Sequence, residues 1–245
     1  MFKSKYKLCD LFGIPVYVDF SFLILLLLFV VDGRSFTLGL AMALVLAISV
    51  TLHELGHALT ARVFGYQAQD ITLSLLGGCA SFISLPRKTY QEFLTALAGP
   101  LVSFLLAGSV FLLDILEVPI ENRWLWIVLS YAYWANLMLG GFNLLPGFPM
   151  DGGRIFRSVM RLFLTRARAT LVAMWVGRGF AILLGLYGVW AMFNGSFGFI
   201  SILIAVMIWR EGYREYQLAR VEEDFRKWSQ ADFDARVSPP PYGRD

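Results

Sequence analysis

The sequence predicts an all-α polytopic membrane protein with a small amount of β-structure, and three observations carry that expectation. Of its 245 residues, 58% are hydrophobic and only 16% are charged, with a positive mean hydropathy; soluble domains do not have this composition. The apolar residues gather into runs of roughly 18 or more, the length that crosses a ~30 Å hydrocarbon layer. Basic residues collect in every second connection between those runs, as they do in loops on the cytoplasmic side of a membrane.

Apolar length marks about six candidate spans, near Val16–Val31, Thr37–Val63, Tyr90–Leu113, Trp124–Phe142, Ala169–Phe193 and Phe197–Trp209, the first and last being short. Lys3, Lys5 and Lys7, then Arg62, Arg87 and Lys88, then Arg154, Arg157, Arg161, Arg166 and Arg168, then Arg210 and Arg214 occupy alternate connections. The intervening connections, such as Asp114-Ile115-Leu116-Glu117 and Asn194-Gly195-Ser196, carry few basic residues or none. The pattern places both termini in the cytoplasm of a multi-pass integral membrane protein, expected in a bacterial or archaeal cell membrane. Arg178 falls inside the fifth apolar run, which implies that this span begins later than its apolar start.

Two stretches read as β-structure. Residues 8–18, with Gly13, Pro15, Val16, Tyr17 and Val18, supply a strand before the first span. Residues 66–85, broken by Gly77 and Gly78 and weakly alternating at Ile71-Thr72-Leu73-Ser74-Leu75, read as a short strand pair or a re-entrant hairpin. Residues 1–210 therefore form the membrane domain, and 211–245 a cytoplasmic surface helix followed by a tail expected to be disordered around Ser238-Pro239-Pro240-Pro241. No compact apolar region with a cleavage site follows the basic N-terminus, so the first apolar run is expected to be a retained anchor. The net charge of +3 is scattered over short loops, which excludes a nucleic-acid-binding surface, and Cys9 and Cys79 have no metal-ligand spacing.

The chemistry concentrates in the second span. His53 and His57 are four residues apart in a helix and project from one face, with Glu54 beside them. This His-Glu-x-x-His pattern suits one Zn²⁺ ion gripped by two neutral imidazoles, with the carboxylate as general base for a hydrolytic water. A chance match of the pattern in a chain of this length is on the order of one in a hundred. These are also the protein's two histidines, placed with a glutamate in an apolar span where ionisable groups are costly unless they face a partner, a cavity or a metal. With a rise of about 1.5 Å per residue, the motif lies on the order of 10–15 Å below the membrane surface near Val63.

Such a zinc needs a third protein ligand and an open fourth position. Asp114, Glu117 and Glu121 fall on the opposite side of the membrane, and Asp70 and Glu92 lack a distinctive setting. Asp151 lies in Asn143-Leu144-Leu145-Pro146-Gly147-Phe148-Pro149-Met150-Asp151-Gly152-Gly153, where prolines and glycines must break the helix. Unwound backbone at membrane depth is tolerated where protein or a water-filled cavity surrounds it, and a ligand can be delivered there. Asp151 can also cap the helix that starts at Gly152.

His53-Glu54-Leu55-Gly56-His57, together with Asn143-Leu144-Leu145-Pro146 and Asp151-Gly152, resembles the paired motifs of the site-2 proteases, intramembrane zinc metalloproteases of peptidase family M50. The likeness extends over roughly residues 8 to 210 and includes Ala98-Gly99-Pro100. It implies that His53, His57 and Asp151 bind zinc, that Glu54 is the base, and that Asn143 positions substrate or the oxyanion. Asn143 can instead bond freed backbone carbonyls at a helix break, and Asn136 in the same span can do either job. Members of that family often carry a PDZ-like or nucleotide-binding module, and this chain has room for neither, so a compact form is expected; the resemblance implies action on a transmembrane segment of a membrane-anchored protein, with a regulatory membrane partner as a further expectation. A helical substrate must unwind to be cut, so an edge strand that pairs with it would help; the 71–75 stretch is the candidate, with a shielding hairpin as the alternative.

Two other readings compete. A membrane metallopeptidase acting on soluble peptides would take its third ligand from a downstream glutamate, which no apolar helix after the motif offers. A metal-binding transporter or catalytically silent scaffold would scatter polar residues through several spans, whereas here they concentrate at two places.

Overall fold

The computed structural model describes residues 5–24, 27, 35–74, 77–82, 88–195 and 198–237. They form strands β1 (Lys5–Leu11), β2 (Ile14–Asp19), β3 (Ala68–Ser74) and β4 (Gly77–Phe82), and helices α1 (Phe36–Val63), α2 (Thr89–Ile115), α3 (Arg123–Asn143), α4 (Asp151–Met160), α5 (Arg166–Phe193) and α6 (Phe199–Val237). Two compact units result. The first comprises the sheet, α1–α3 and residues 150–155; the second comprises residues 146–149 and everything from Phe156 onward.

The first unit is organised around α1. Ser35 caps its N-terminus, the hydroxyl accepting from the Leu38 N–H at 3.3 Å, and Phe64 ends it. Leu40, Leu44 and Ile48 lie exposed at four-residue intervals, the stripe a spanning helix presents to lipid. Val50, Leu55 and Ala58 instead face the sheet, packing with Ile14, Val16, Val18, Phe22, Ile71 and Leu73 in one buried cluster. Alternate residues of β2 are buried, so a single face of the sheet lies on the helix.

The strand order is β1-β2-β3-β4. β1 and β2 form a hairpin turning through Phe12 and Gly13, both at positive φ, as a two-residue type I′ turn requires. β2 and β3 are parallel, with Val16 opposite Ile71 and Val18 opposite Leu73. α1 is therefore the crossover between them. β3 and β4 are antiparallel, with Leu73 opposite Gly78. Both β-regions predicted from sequence form, but the 71–75 stretch is not the edge: β3 is paired on both sides, and the edge on that side is β4. Because β2 occupies the other side of β3, β4 is the outer strand of the pair.

α2 packs against both α1 and α3. Its buried residues include Gln91, Thr95, Gly99, Ser103 and Ala107, one every four residues, a stripe of small or short side chains that lets two spans approach closely. From the facing helix comes Gly56, where a Cβ would lie 2.9 Å from Val102 Cγ2 and 3.0 Å from the Ala98 carbonyl oxygen. α3 is tied to α1 by Asn136, whose Nδ2 donates to Ser49 Oγ at 2.9 Å.

In the second unit α5 and α6 pack side by side and antiparallel. Arg166 pairs with Glu222 at 3.2 Å, and the Ala167 N–H donates to Glu223 at 3.2 Å. Partial burial works against ionisation of Glu223, but the Ala167 N–H and the Lys227 ammonium hold its carboxyl below the ordinary value. Arg157 of α4 joins Glu215 at 2.8 Å and lies over the Phe148 ring.

Among the described residues, four helices, α1, α2, α3 and α5, are long and apolar enough to cross a membrane. They correspond to the four long candidate spans. The two short ones differ. Val16–Asp19 of the first is strand β2, residues 20–24 are helical, and most of the remainder lies outside the described residues. The last is the opening of α6, which continues without a break from its apolar start through the charged segment to Val237. Helical propensity in the charged segment is high enough that the change of polarity does not end the helix.

The tightness of the α1–α2 contact is directly testable. Gly56→Ala is expected to lower stability by about 1–3 kcal/mol through overpacking, seen as a lower thermal midpoint in detergent. Gly108→Ala, at a helical position with open space around it, serves as the control and is expected to be neutral.

Candidate metal and catalytic site

The site is assembled from α1, α2 and the start of α4, all within the first unit. His53 and His57 lie on the buried side of α1, and Asp151 is the first residue of α4. Asp151 Oδ2 stands 3.1 Å from His53 Nε2 and 3.1 Å from His57 Nε2. The two Nε2 atoms are 3.3 Å apart. Two imidazole nitrogens and one carboxylate oxygen thus form a nearly equilateral triangle; around a tetrahedral ion with bonds of about 2.0–2.1 Å, donors sit about 3.3–3.4 Å apart. The donor set fits zinc in both chemistry and size.

The far nitrogen of each ring is held by α2. His57 Nδ1–H donates to the Thr95 carbonyl at 2.7 Å. That carbonyl can only accept, so the bond fixes the tautomer and leaves Nε2 with its lone pair facing the triangle. His53 Nδ1 lies 2.9 Å from Ser103 Oγ, a hydroxyl that can accept from Nδ1–H and so leave Nε2 free for the triangle. Between these two contacts lies Gly99, where any Cβ would collide with both Nε2 atoms. Hydrogen at this position is what allows α2 to run directly behind the rings.

Glu54 is buried beside the histidines. The Gly78 backbone of β4 lies against its side chain, so closely that a Cβ there would overlap the Glu54 methylene. The sheet edge therefore adjoins the glutamate.

Sequence reasoning singled out His53, Glu54, His57 and Asp151, and these residues are brought together; Asp151 opens a helix and also points its oxygen at both rings. Asn143 is placed differently. It lies at the C-terminal end of α3 and its Nδ2 donates to the Leu139 carbonyl at 3.0 Å, the local backbone bond open to an asparagine at a helix break. Among the described residues, no hydrogen bond joins it to the three donors. Thr95, Gly99 and Ser103 were not identified from sequence as the rear wall of the site, although their four-residue spacing inside an apolar helix was visible there.

Known proteins share the sequence and fold of this chain. The family model described as "Peptidase family M50" matches residues 41–119 and 112–186. The fold and the buried His-His-Asp triangle define a membrane-embedded metallopeptidase scaffold, and the chain belongs to the M50 family, the site-2 proteases. A zinc metalloprotease of Methanocaldococcus jannaschii is 33% identical over 226 residues, 90% of this chain and 63% of that protein. Stage IV sporulation protein FB of Bacillus subtilis is 28% identical over 177 residues, 70% of this chain and 58% of that protein. The chain thus spans about three fifths of the length of these two curated relatives. The structure titled as the site-2 protease from Methanocaldococcus jannaschii superposes with a TM-score of 0.64 at 30% identity, covering 86% of this chain and 95% of that one.

Gly99→Ala is expected to disrupt the triangle without altering any donor. Purified protein should then lose its zinc by elemental analysis while remaining a folded membrane protein by circular dichroism; full zinc occupancy would show that the rings can move away from α2.

Proposed function

We propose that the chain is an intramembrane zinc endopeptidase that hydrolyses a peptide bond within or near a transmembrane segment of a membrane-anchored protein. The observation that carries the reading is the triangle of His53 Nε2, His57 Nε2 and Asp151 Oδ2, with edges of 3.1–3.3 Å, next to a buried glutamate in a helix apolar enough to span a membrane. His53, His57 and Asp151 would hold one zinc ion. When bound, zinc supplies Lewis-acid polarisation of the scissile carbonyl and lowers the pKa of water.

The remaining work belongs to the protein. Glu54 takes the proton of the attacking water and passes it to the amine nitrogen as the C–N bond breaks, so that one water is consumed and a carboxylate and an amine terminus result. The Thr95 carbonyl keeps His57 in the tautomer that presents Nε2, and Ser103 Oγ holds the His53 ring by its Nδ1. Asn143 is assigned to positioning the substrate backbone on the family resemblance, its Nδ2 being engaged by the Leu139 carbonyl. A substrate helix must be unwound before a bond reaches the site, and β4, the sheet edge beside Glu54, offers backbone groups to an extended segment.

Orientation follows from charge. Arg62 at the end of α1, Lys88 at the start of α2 and Arg166 and Arg168 at the start of α5 are assigned to the cytoplasmic side, with both termini. His53 is ten residues before the end of α1, about 15 Å along the helix. The site then lies within the bilayer and is reached by water from the cytoplasm.

Two variants test the assignment. Glu54→Gln should reduce cleavage of a co-expressed membrane-anchored substrate by about 10²–10⁴-fold while leaving zinc bound; normal cleavage would remove Glu54 from the base role. Asp151→Ala should lower zinc affinity in a competition titration with a chelator, and an unchanged affinity would reduce Asp151 to a helix cap. A comparison of membrane proteomes with and without Glu54→Gln should reveal a membrane-anchored fragment that accumulates only in the variant. Accumulation of soluble peptides alone would favour the soluble-peptide alternative.

A further inference from the structure

In the second unit, the guanidinium of Arg178 lies against three aromatic rings. It stands 4.9 Å from the centre of Trp175, 4.4 Å from Trp209 and 5.9 Å from Tyr213. Arg178, Trp209, Arg210 and Tyr213 line an open groove of about 380 Å³ between α5 and α6.

The aromatic rings explain how Arg178 is held, but they leave its hydrogen-bonding capacity unmet. A guanidinium carries five N–H donors and no acceptor. Stacking on ring faces engages its charge without satisfying its in-plane donors. Its Nε is buried and has no hydrogen-bond partner among the described residues. Arg210, at the rim of the same groove, likewise has no carboxylate partner among them, whereas its neighbours Glu211 and Arg214 pair with one another. Two cations, one with a buried orphan donor, thus face one groove that contains no acid. A buried donor left unpaired is unfavourable, and an oxyanion in the groove would supply an acceptor to the guanidinium.

The position of the groove indicates which oxyanion. α6 is apolar from Phe199 to Trp209 and charged from Arg210 onward. Beyond that point its partner α5 is joined to it by an ion pair, Arg166 with Glu222, and by a hydrogen bond from the Ala167 N–H to Glu223. Arg178 therefore sits at the level where the helix pair passes from an apolar to an aqueous setting. Trp175, Trp209 and Tyr213 are exposed there at 58%, 41% and 50%, the placement of aromatic residues at a membrane–water interface. A phosphate group at that level, next to rings that tolerate both acyl chain and headgroup, belongs to a phospholipid.

We propose that Arg178 and Arg210 form a binding site for the phosphate of an anionic phospholipid, with Trp175, Trp209 and Tyr213 packing around its glycerol and upper acyl region. Arg178, half-buried and held by the rings, contributes the inner charge and Arg210 the exposed second charge. The apparent anomaly of an arginine within an apolar run is then the inner half of a headgroup site.

The test is native mass spectrometry of the full chain in detergent, titrated separately with phosphatidylglycerol, phosphatidylcholine and inorganic phosphate. One phosphatidylglycerol should bind in preference to phosphatidylcholine, and Arg178→Gln and Arg210→Gln should each weaken it about fivefold. Arg210 is exposed, so its variant reports on binding even if Arg178→Gln fails to fold. Equal binding of the two lipids, or native-like phosphatidylglycerol affinity in Arg210→Gln, would overturn the site. Saturation by inorganic phosphate that blocks phosphatidylglycerol would overturn the lipid as its source. Zinc content should be the same in the native chain and both variants.

Discussion

Everything at the metal site depends on how closely α2 can pass behind two imidazoles. A histidine offers a metal one nitrogen and must settle the other, and a helix running through hydrocarbon provides no water to do so. Here the second nitrogen of His57 is settled by the Thr95 carbonyl and that of His53 by the Ser103 hydroxyl, both on one face of α2. The helix reaches them because Gly99, midway between, has no side chain. The regular four-residue stripe from Gln91 to Ala107 is the wider expression of the same requirement, and Gly56 answers it from the opposite helix. Metal ligation and helix packing are therefore a single constraint on the sequence of α2.

The parts legible in the sequence are those with a strong local signature. His53 and His57 at helical spacing with Glu54 specify one face of one helix, and that needs no tertiary information. Asp151 was legible because proline and glycine around it announce a helix break, and a carboxylate in such a break has few inexpensive roles at membrane depth. The long apolar spans were equally plain, because about 20 consecutive apolar residues in a helix have few other uses. The β-regions could be read from their glycines and alternation, although which strand would be the edge could not. Edge status depends on the partner of β3 on its other side, and that partner, β2, lies more than fifty residues earlier in the chain.

The rest was hidden for physical reasons. Thr95 acts through its carbonyl, which every residue type possesses, so its identity carried no signal. Gly78 acts by lacking a side chain opposite Glu54, and a glycine in a strand has several explanations. The short apolar runs at either end were ambiguous because hydropathy reports composition rather than conformation: Val16 and Val18 are as suitable in a buried strand as in a span. Arg178 was the one residue that contradicted its surroundings, and its meaning became visible only when α6 placed Arg210 and three aromatic rings around it. Local inconsistencies of this kind tend to mark positions with a purpose beyond folding.

The parallel pairing of β2 with β3 has a mechanical consequence. Parallel neighbours cannot be joined by a tight turn, so the chain must travel the length of α1 between them. Only the four residues 64–67 then separate the end of α1 from β3. The sheet is thus tethered at short range to the helix that carries His53, Glu54 and His57, and Val50, Leu55 and Ala58 glue its buried face to that helix along the way. A pull on the outer strand has little slack to absorb it and is borne by the scaffold of the triangle itself, much as a handle riveted close to a hinge moves the hinge.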